Sequence, residues 1–171
     1  VALLETTELE QHEVILELPH PQFPGHEIDT YVPRKANRPE TFIEFKFHRA
    51  SKSTSPKPQK AGSLFKDFTR LAAVCAPDSQ CLVIYVTCPE MDTYFTANAS
   101  AYSGFWSRNY GERFPFDQAF LDKTTPTFRK VNGDAAAATI SVEHACGLAG
   151  GYELRVFRVH SLPSSAIAGE A

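Results

Sequence analysis

The stretch QCLVIYVTC, residues 80–88, constrains the fold more than any other. Its nearly continuous apolar run reads as a strand buried on both faces, as in a parallel or central position of a sheet. Just before it, SLFKDFTRLAAVCA places apolar residues at 64, 68, 71, 72 and 75, the spacing of one helix face. Ser63 is the expected N-cap of that helix and Pro77 its stop.

Upstream, short strands alternate with turns. EVILEL reads as a first strand, ended by the turn-rich PHPQFPG. HEIDTYV is a second strand, RKANRPE a loop and TFIEFKFHR a third strand, which together suggest an antiparallel meander. The residues before Gln11 read as the end of a helix with Leu3, Leu4 and Leu9 inward. ASKSTSPKPQKAG, without an apolar period, is expected to be a mobile loop. Downstream, PEMDTYFTANASAYSGFW is expected to be helical, and most aromatics between Tyr94 and Phe128 to be core. ATISVEHACGLAGGYELRVFRVH reads as a hairpin with a Gly-rich turn. The expectation is one α+β domain over residues 1–171. Its α/β-like core, residues 1–88, runs helix, three-stranded meander, helix, buried strand. Residues 89–171 form an aromatic-rich extension and hairpin.

With 43% apolar and 12% aromatic residues the chain can offset the entropy of ordering. No apolar run approaches the ~20 residues of a membrane helix, and the first residues are acidic where a secretory signal would be basic. Cys75, Cys81, Cys88 and Cys146 form no CxxC pair, and a reduced, cytoplasmic setting is the expectation. The net charge of −3 conceals an asymmetry: −7 over residues 1–32, +7 over 33–70 and −3 over 71–171. The basic block, from Arg34 to Arg70, is the local distribution that phosphate contacts need, although a solvated basic loop would look the same.

The third strand carries the chemistry. Side chains alternate along a strand, so Ile43, Phe45 and Phe47 share one face, read as core, while Glu44, Lys46 and His48 share the other. Asp29 lies on the preceding strand. An acid followed by an acid-x-Lys triplet on the next strand resembles the PD-(D/E)XK nuclease superfamily, with its restriction-endonuclease-like fold. Here the match is HEIDTYV followed by IEFKF, with fourteen residues between Asp29 and Glu44. Ile28 stands where the written motif has proline.

The resemblance implies a metal-dependent hydrolysis of phosphodiesters in nucleic acid, DNA in the first instance. Asp29, Glu44 and the backbone carbonyl of Phe45 would hold Mg²⁺ or Mn²⁺, with Lys46 the catalytic lysine. Glu5 is favoured over Glu8, Glu10 and Glu17 as a further acidic ligand. His48 is an accessory candidate, and Arg34, Lys35, Arg49, Lys66 and Arg70 are candidates for backbone contacts. Two symmetric subunits would suit cleavage of both strands, though nothing in the sequence demands them. The alternatives are a catalytically inactive nucleic-acid-binding or assembly module on the same scaffold, and an unrelated α+β domain that binds partners through its aromatic segment.

Overall fold

Seven strands form one mixed sheet in the order β1-β2-β3-β4-β7-β6-β5. We describe residues 13–49, 56–97, 101–107, 109–132 and 138–160 of a computed structural model. The expected N-terminal helix, Glu5, Glu8 and Glu10 lie outside these residues. β1 (Ile15–Pro19), β2 (Glu27–Val32) and β3 (Thr41–Phe47) form the antiparallel meander. α1 (Lys57–Val74) then returns the chain to β4 (Gln80–Thr87), which runs parallel to β3. A helical crossover is what joins parallel neighbours.

α1 begins seven residues earlier than the expected Ser63 cap implies. Pro56 is its N-cap residue and a proline stands in its first two positions. Proline is tolerated there because the first N–H groups have no helical partner. Part of the Ser-, Lys- and Pro-rich segment is therefore a helix start. Ser63 does not cap: its hydroxyl donates to Lys60 O within the helix, at 2.9 Å.

Beyond β4 come α2 (Pro89–Ala97), α3 (Ser103–Trp106), β5 (Arg113–Phe116), α4 (Gln118–Asp122), α5 (Pro126–Asn132), β6 (Ala138–Gly147) and β7 (Glu153–His160). The hairpin β6–β7 is as expected, but it extends the same sheet across β4, and β5 adds an unforeseen edge. Residues 89–171 are therefore not merely an addition to the core; their strands complete it. The expected single helix over 89–106 is two, α2 and α3. No described helix is long and apolar enough to cross a membrane.

The core lies between α1 and one face of the sheet. Phe65 is fully buried and packs against Phe68, Phe105, Phe116, Phe120 and Phe128. Edge-to-face contacts dominate, as the ring quadrupoles favour. Trp106 donates Nε1–H to Asp92 at 2.6 Å and lies under the Arg155 guanidinium, 3.8 Å from the ring centre. These aromatics are core, as expected, with Tyr110 exposed.

The face assignment of β3 holds for Ile43, which is buried, but fails for its two phenylalanines. Phe45 and Phe47 are 49% and 52% exposed, whereas Phe42, Glu44 and His48 are buried on the helix side. Alternation was legible, but hydrophobicity alone pointed at the wrong face. The polar members are the ones that α1 covers.

Gly62 lets α1 approach α5. A Cβ there would stand 2.9 Å from Phe128 O and 3.0 Å from Val131 Cβ. Gly62→Ala gains about 1 kcal/mol of helix propensity but overpacks a backbone contact by about 2 kcal/mol. The net expectation is a loss of ~1 kcal/mol, measured by urea denaturation. A variant as stable as wild type would show that the two helices separate freely.

Candidate active site

Asp29 occupies an irregularity in the sheet. The β2–β3 register ends at Thr30–Ile43, and the β1–β2 register skips the Glu17–Asp29 position. Glu17 has φ +54°, in the left-handed region that a β-strand residue rarely adopts. Released from regular pairing, the Asp29 carboxylate turns toward β3 and accepts the Phe45 N–H at 2.6 Å. A backbone donor that has lost its ladder partner is thus satisfied by a side chain. N–H and C=O of one extended residue point to the same neighbour, so the Phe45 carbonyl addresses the same gap.

This bond brings the two acidic residues together. Glu44 is 6% exposed and its carboxyl group lies against that of Asp29. Glu44 Oε1 is buried and receives no hydrogen bond. Two carboxylates facing each other are acceptors only, so the contact calls for a proton or a cation. Burial, then the Asp29 and Asp67 charges, push the Glu44 carboxyl up to about 8, opposed by Arg70. At neutral pH Glu44 is the protonated member, donating to Asp29.

Lys46 lies on the same face. Its Nζ stands 2.6 Å from Asp67 Oδ2 of α1. Asp67 is only 3% exposed and also pairs with Arg70. Asp67 is thus the counter-ion behind Lys46. At about 100° per residue, Asp67 flanks the apolar stripe beside Leu64 and Leu71 and does not lie opposite it. That angle was the available signal.

Arg70 joins the site as a structural bolt. Besides Asp67, its Nη1 donates to His26 Nδ1 at 2.8 Å. His20 Nδ1 accepts N–H groups of Gln22 and Phe23, so its Nε2–H donates to Arg70 O at 3.1 Å. The β1–β2 loop, which precedes Asp29, is thereby fixed to α1. The guanidinium is engaged on two sides and is not a free phosphate contact.

His48 has a defined tautomer. Thr87 Oγ1 donates to Cys88 O and Tyr85 OH donates to Thr87 Oγ1, so Tyr85 OH accepts the Nδ1–H of His48 at 2.7 Å. Burial, Lys46 and Lys60 hold the imidazole down to about 4. His48 is therefore neutral at physiological pH and offers only an acceptor at Nε2.

The remaining basic candidates scatter. Arg34 pairs with Asp78 at 2.7 Å, and Lys35 and Arg38 pair with Glu13, all around the β2–β3 loop at the opposite end of those strands. Arg49 stands 5.7 Å over the Phe47 ring, on the other face from Lys46. Lys66 makes no ion pair that ties it to the site among the described residues. Besides Arg70 at Glu44, the cations whose charges reach this end are Lys46 and Lys60 at His48, and Lys57 and Lys60 at Glu90.

The donor set suits a hard cation. Two carboxyl groups, one with an oxygen that no donor meets, can hold Mg²⁺, which takes oxygen ligands and keeps several waters. Among the described residues no three His, Cys, Asp or Glu side chains converge to cage a metal, and two carboxylates with a backbone carbonyl do not require one. Comparisons with protein-family models, curated proteins and solved structures gave no match.

Stability should record the Glu44 proton. A carboxyl whose folded pKa is raised stabilises the fold fully below its unfolded value of 4.5. That contribution is lost as pH rises through about 8. Glu44→Gln removes this loss, so above pH 8 the variant should exceed wild type by a few kcal/mol. Urea midpoints measured from pH 4.5 to 9 test this. Parallel curves for the two proteins would place the proton elsewhere.

Proposed function

We propose that the chain is a metal-dependent nuclease of the PD-(D/E)XK type, hydrolysing phosphodiesters of nucleic acid, with DNA the first substrate to test. The observation that carries this reading is the contact of Asp29 with the β3 backbone at Phe45, which sets two carboxyl groups and Lys46 around one gap. The meander followed by a helical crossover to a parallel strand supports a restriction-endonuclease-like core. So does the position of the acid-x-Lys triplet on the strand that pairs with β4.

Each residue has a distinct task in this chemistry. Asp29, Glu44 and the Phe45 carbonyl would hold Mg²⁺, which supplies an acidified water and charge against the phosphoryl oxygens. Glu44 must release its proton before it can serve as an anionic ligand, so ion binding strengthens with rising pH. Lys46 orients the attacking water and faces the negative charge that develops on phosphorus oxygens. Asp67 positions the Lys46 ammonium through their ion pair. Lys57 and Lys60 carry the nearby backbone contacts, in place of Arg34 and Lys35, whose charges are internally paired.

Lys46→Ala should reduce Mg²⁺- or Mn²⁺-dependent cleavage of supercoiled and single-stranded DNA by about 10²–10⁴-fold. Its fold should persist, because Asp67 keeps its Arg70 partner. Cleavage by wild type, lost in EDTA and in the variant, is the expected result. A variant cutting at the wild-type rate would remove Lys46 from the mechanism. Salt-sensitive DNA binding without any cleavage would support the inactive binding module.

A further inference from the structure

At the far end of β4 from Lys46, four elements enclose a polar cavity. The end of α1, the start of β4, the start of β5 and the end of β7 surround about 210 Å³, room for roughly seven waters at about 30 Å³ each. Arg113, Arg158, His160, Ser79 and the Cys75 thiol line it. Ser79 lies four residues before Val83, the strand partner of Glu44. At about 3.3 Å per residue the cavity is on the order of 13 Å from the carboxyl pair.

Its charges are unbalanced. The Arg158 Nε is buried and makes no hydrogen bond. The carboxylate beside it, Glu143, stands 3.5 Å away and already accepts the Ser141 hydroxyl at 3.0 Å. Arg113 is exposed and forms no ion pair among the described residues. Asp78, next to Ser79, is taken by Arg34. His160 feels both cavity arginines, which with burial lower its basicity. Because Ser141 donates to Glu143, it accepts from His160 Nε2 at 2.9 Å, and the neutral ring keeps an unprotonated Nδ1.

We propose that this cavity is a binding site for a phosphomonoester group. Two guanidiniums offset by one carboxylate leave a net positive lining, and their planar forks suit phosphate oxygens. The Ser79 hydroxyl donates to Ala76 O at 2.9 Å and must turn its proton to reach a bound anion, and His160 can add a donor by taking a proton from solvent when a dianion enters. The volume admits phosphate with part of its ester substituent. Such a group has two sources, the 5′ end of a nucleic-acid strand or a small phosphorylated molecule. The site is separate from the carboxyl pair and does not depend on cleavage.

Calorimetric titrations in EDTA can use inorganic phosphate, a nucleoside 5′-monophosphate, and one oligonucleotide with and without a 5′-phosphate. Arg113→Gln changes an exposed side chain, and Lys46→Ala serves as the control for the other site. Phosphate compounds should bind wild type, weaken at least about tenfold in Arg113→Gln, and keep their affinity in Lys46→Ala. A preference for the 5′-phosphorylated over the unphosphorylated strand, beyond the affinity of the mononucleotide, assigns the site to strand ends. Equal affinity for mononucleotide and phosphorylated strand assigns it to small molecules. Absence of binding by every phosphate compound, or binding unchanged in Arg113→Gln, would overturn the proposal. Either of those outcomes would leave the nuclease reading intact.

Discussion

A single backbone amide organises the candidate site. Phe45 N–H, near the middle of β3, has lost the β2 carbonyl that a continued ladder would supply, and buried or half-buried donors must be bonded. Asp29 answers with its carboxylate. That substitution draws Asp29 against Glu44, and burial together with their proximity raises the Glu44 carboxyl. Asp67 of α1 adds to the acid, and Lys46 from β3 and Arg70 from α1 both pair with it. Breaking the first contact would therefore disturb every charge that follows.

The same network couples site and scaffold. Arg70 ties Asp67 to the β1–β2 loop through His26, while His20 bonds the Arg70 carbonyl. The loop leading into Asp29 is thus held by the helix that positions the Lys46 counter-ion. On the other side, the His48–Tyr85–Thr87 chain fixes the strand end next to Lys46. Rigid support of this kind is what a preorganised site requires.

Much of this arrangement was legible where local pattern decides it. The strand periods of β1 to β3, the apolar run of β4 and the Gly-rich β6–β7 turn each follow from residues close in sequence. So does the alternation that sets Glu44 and Lys46 on one face. What escaped depends on contacts between distant segments. The face of β3 that is buried was misread because Phe45 and Phe47 look like core, and only the position of α1 decides the matter. The start of α1 was hidden by prolines that a first turn accepts. The helical angle set Asp67 beside the apolar stripe, but its role is defined only by Lys46 standing next to it. The basic block around Arg34 and Lys35 suggested phosphate contacts because Glu13 and Asp78, their partners, come from other elements. β5 was unforeseen since RFPF is four residues long and gains its identity from pairing with β6.

The central claim is that Asp29 and Glu44 form one acidic centre whose shared proton and divalent ion compete. Mg²⁺ titration near pH 7 by calorimetry, repeated in buffers of different ionisation enthalpy, counts the protons released per ion bound. The account predicts close to one proton for wild type and none for Glu44→Gln. Binding without proton release, or no binding in a chain that is otherwise folded, would contradict it.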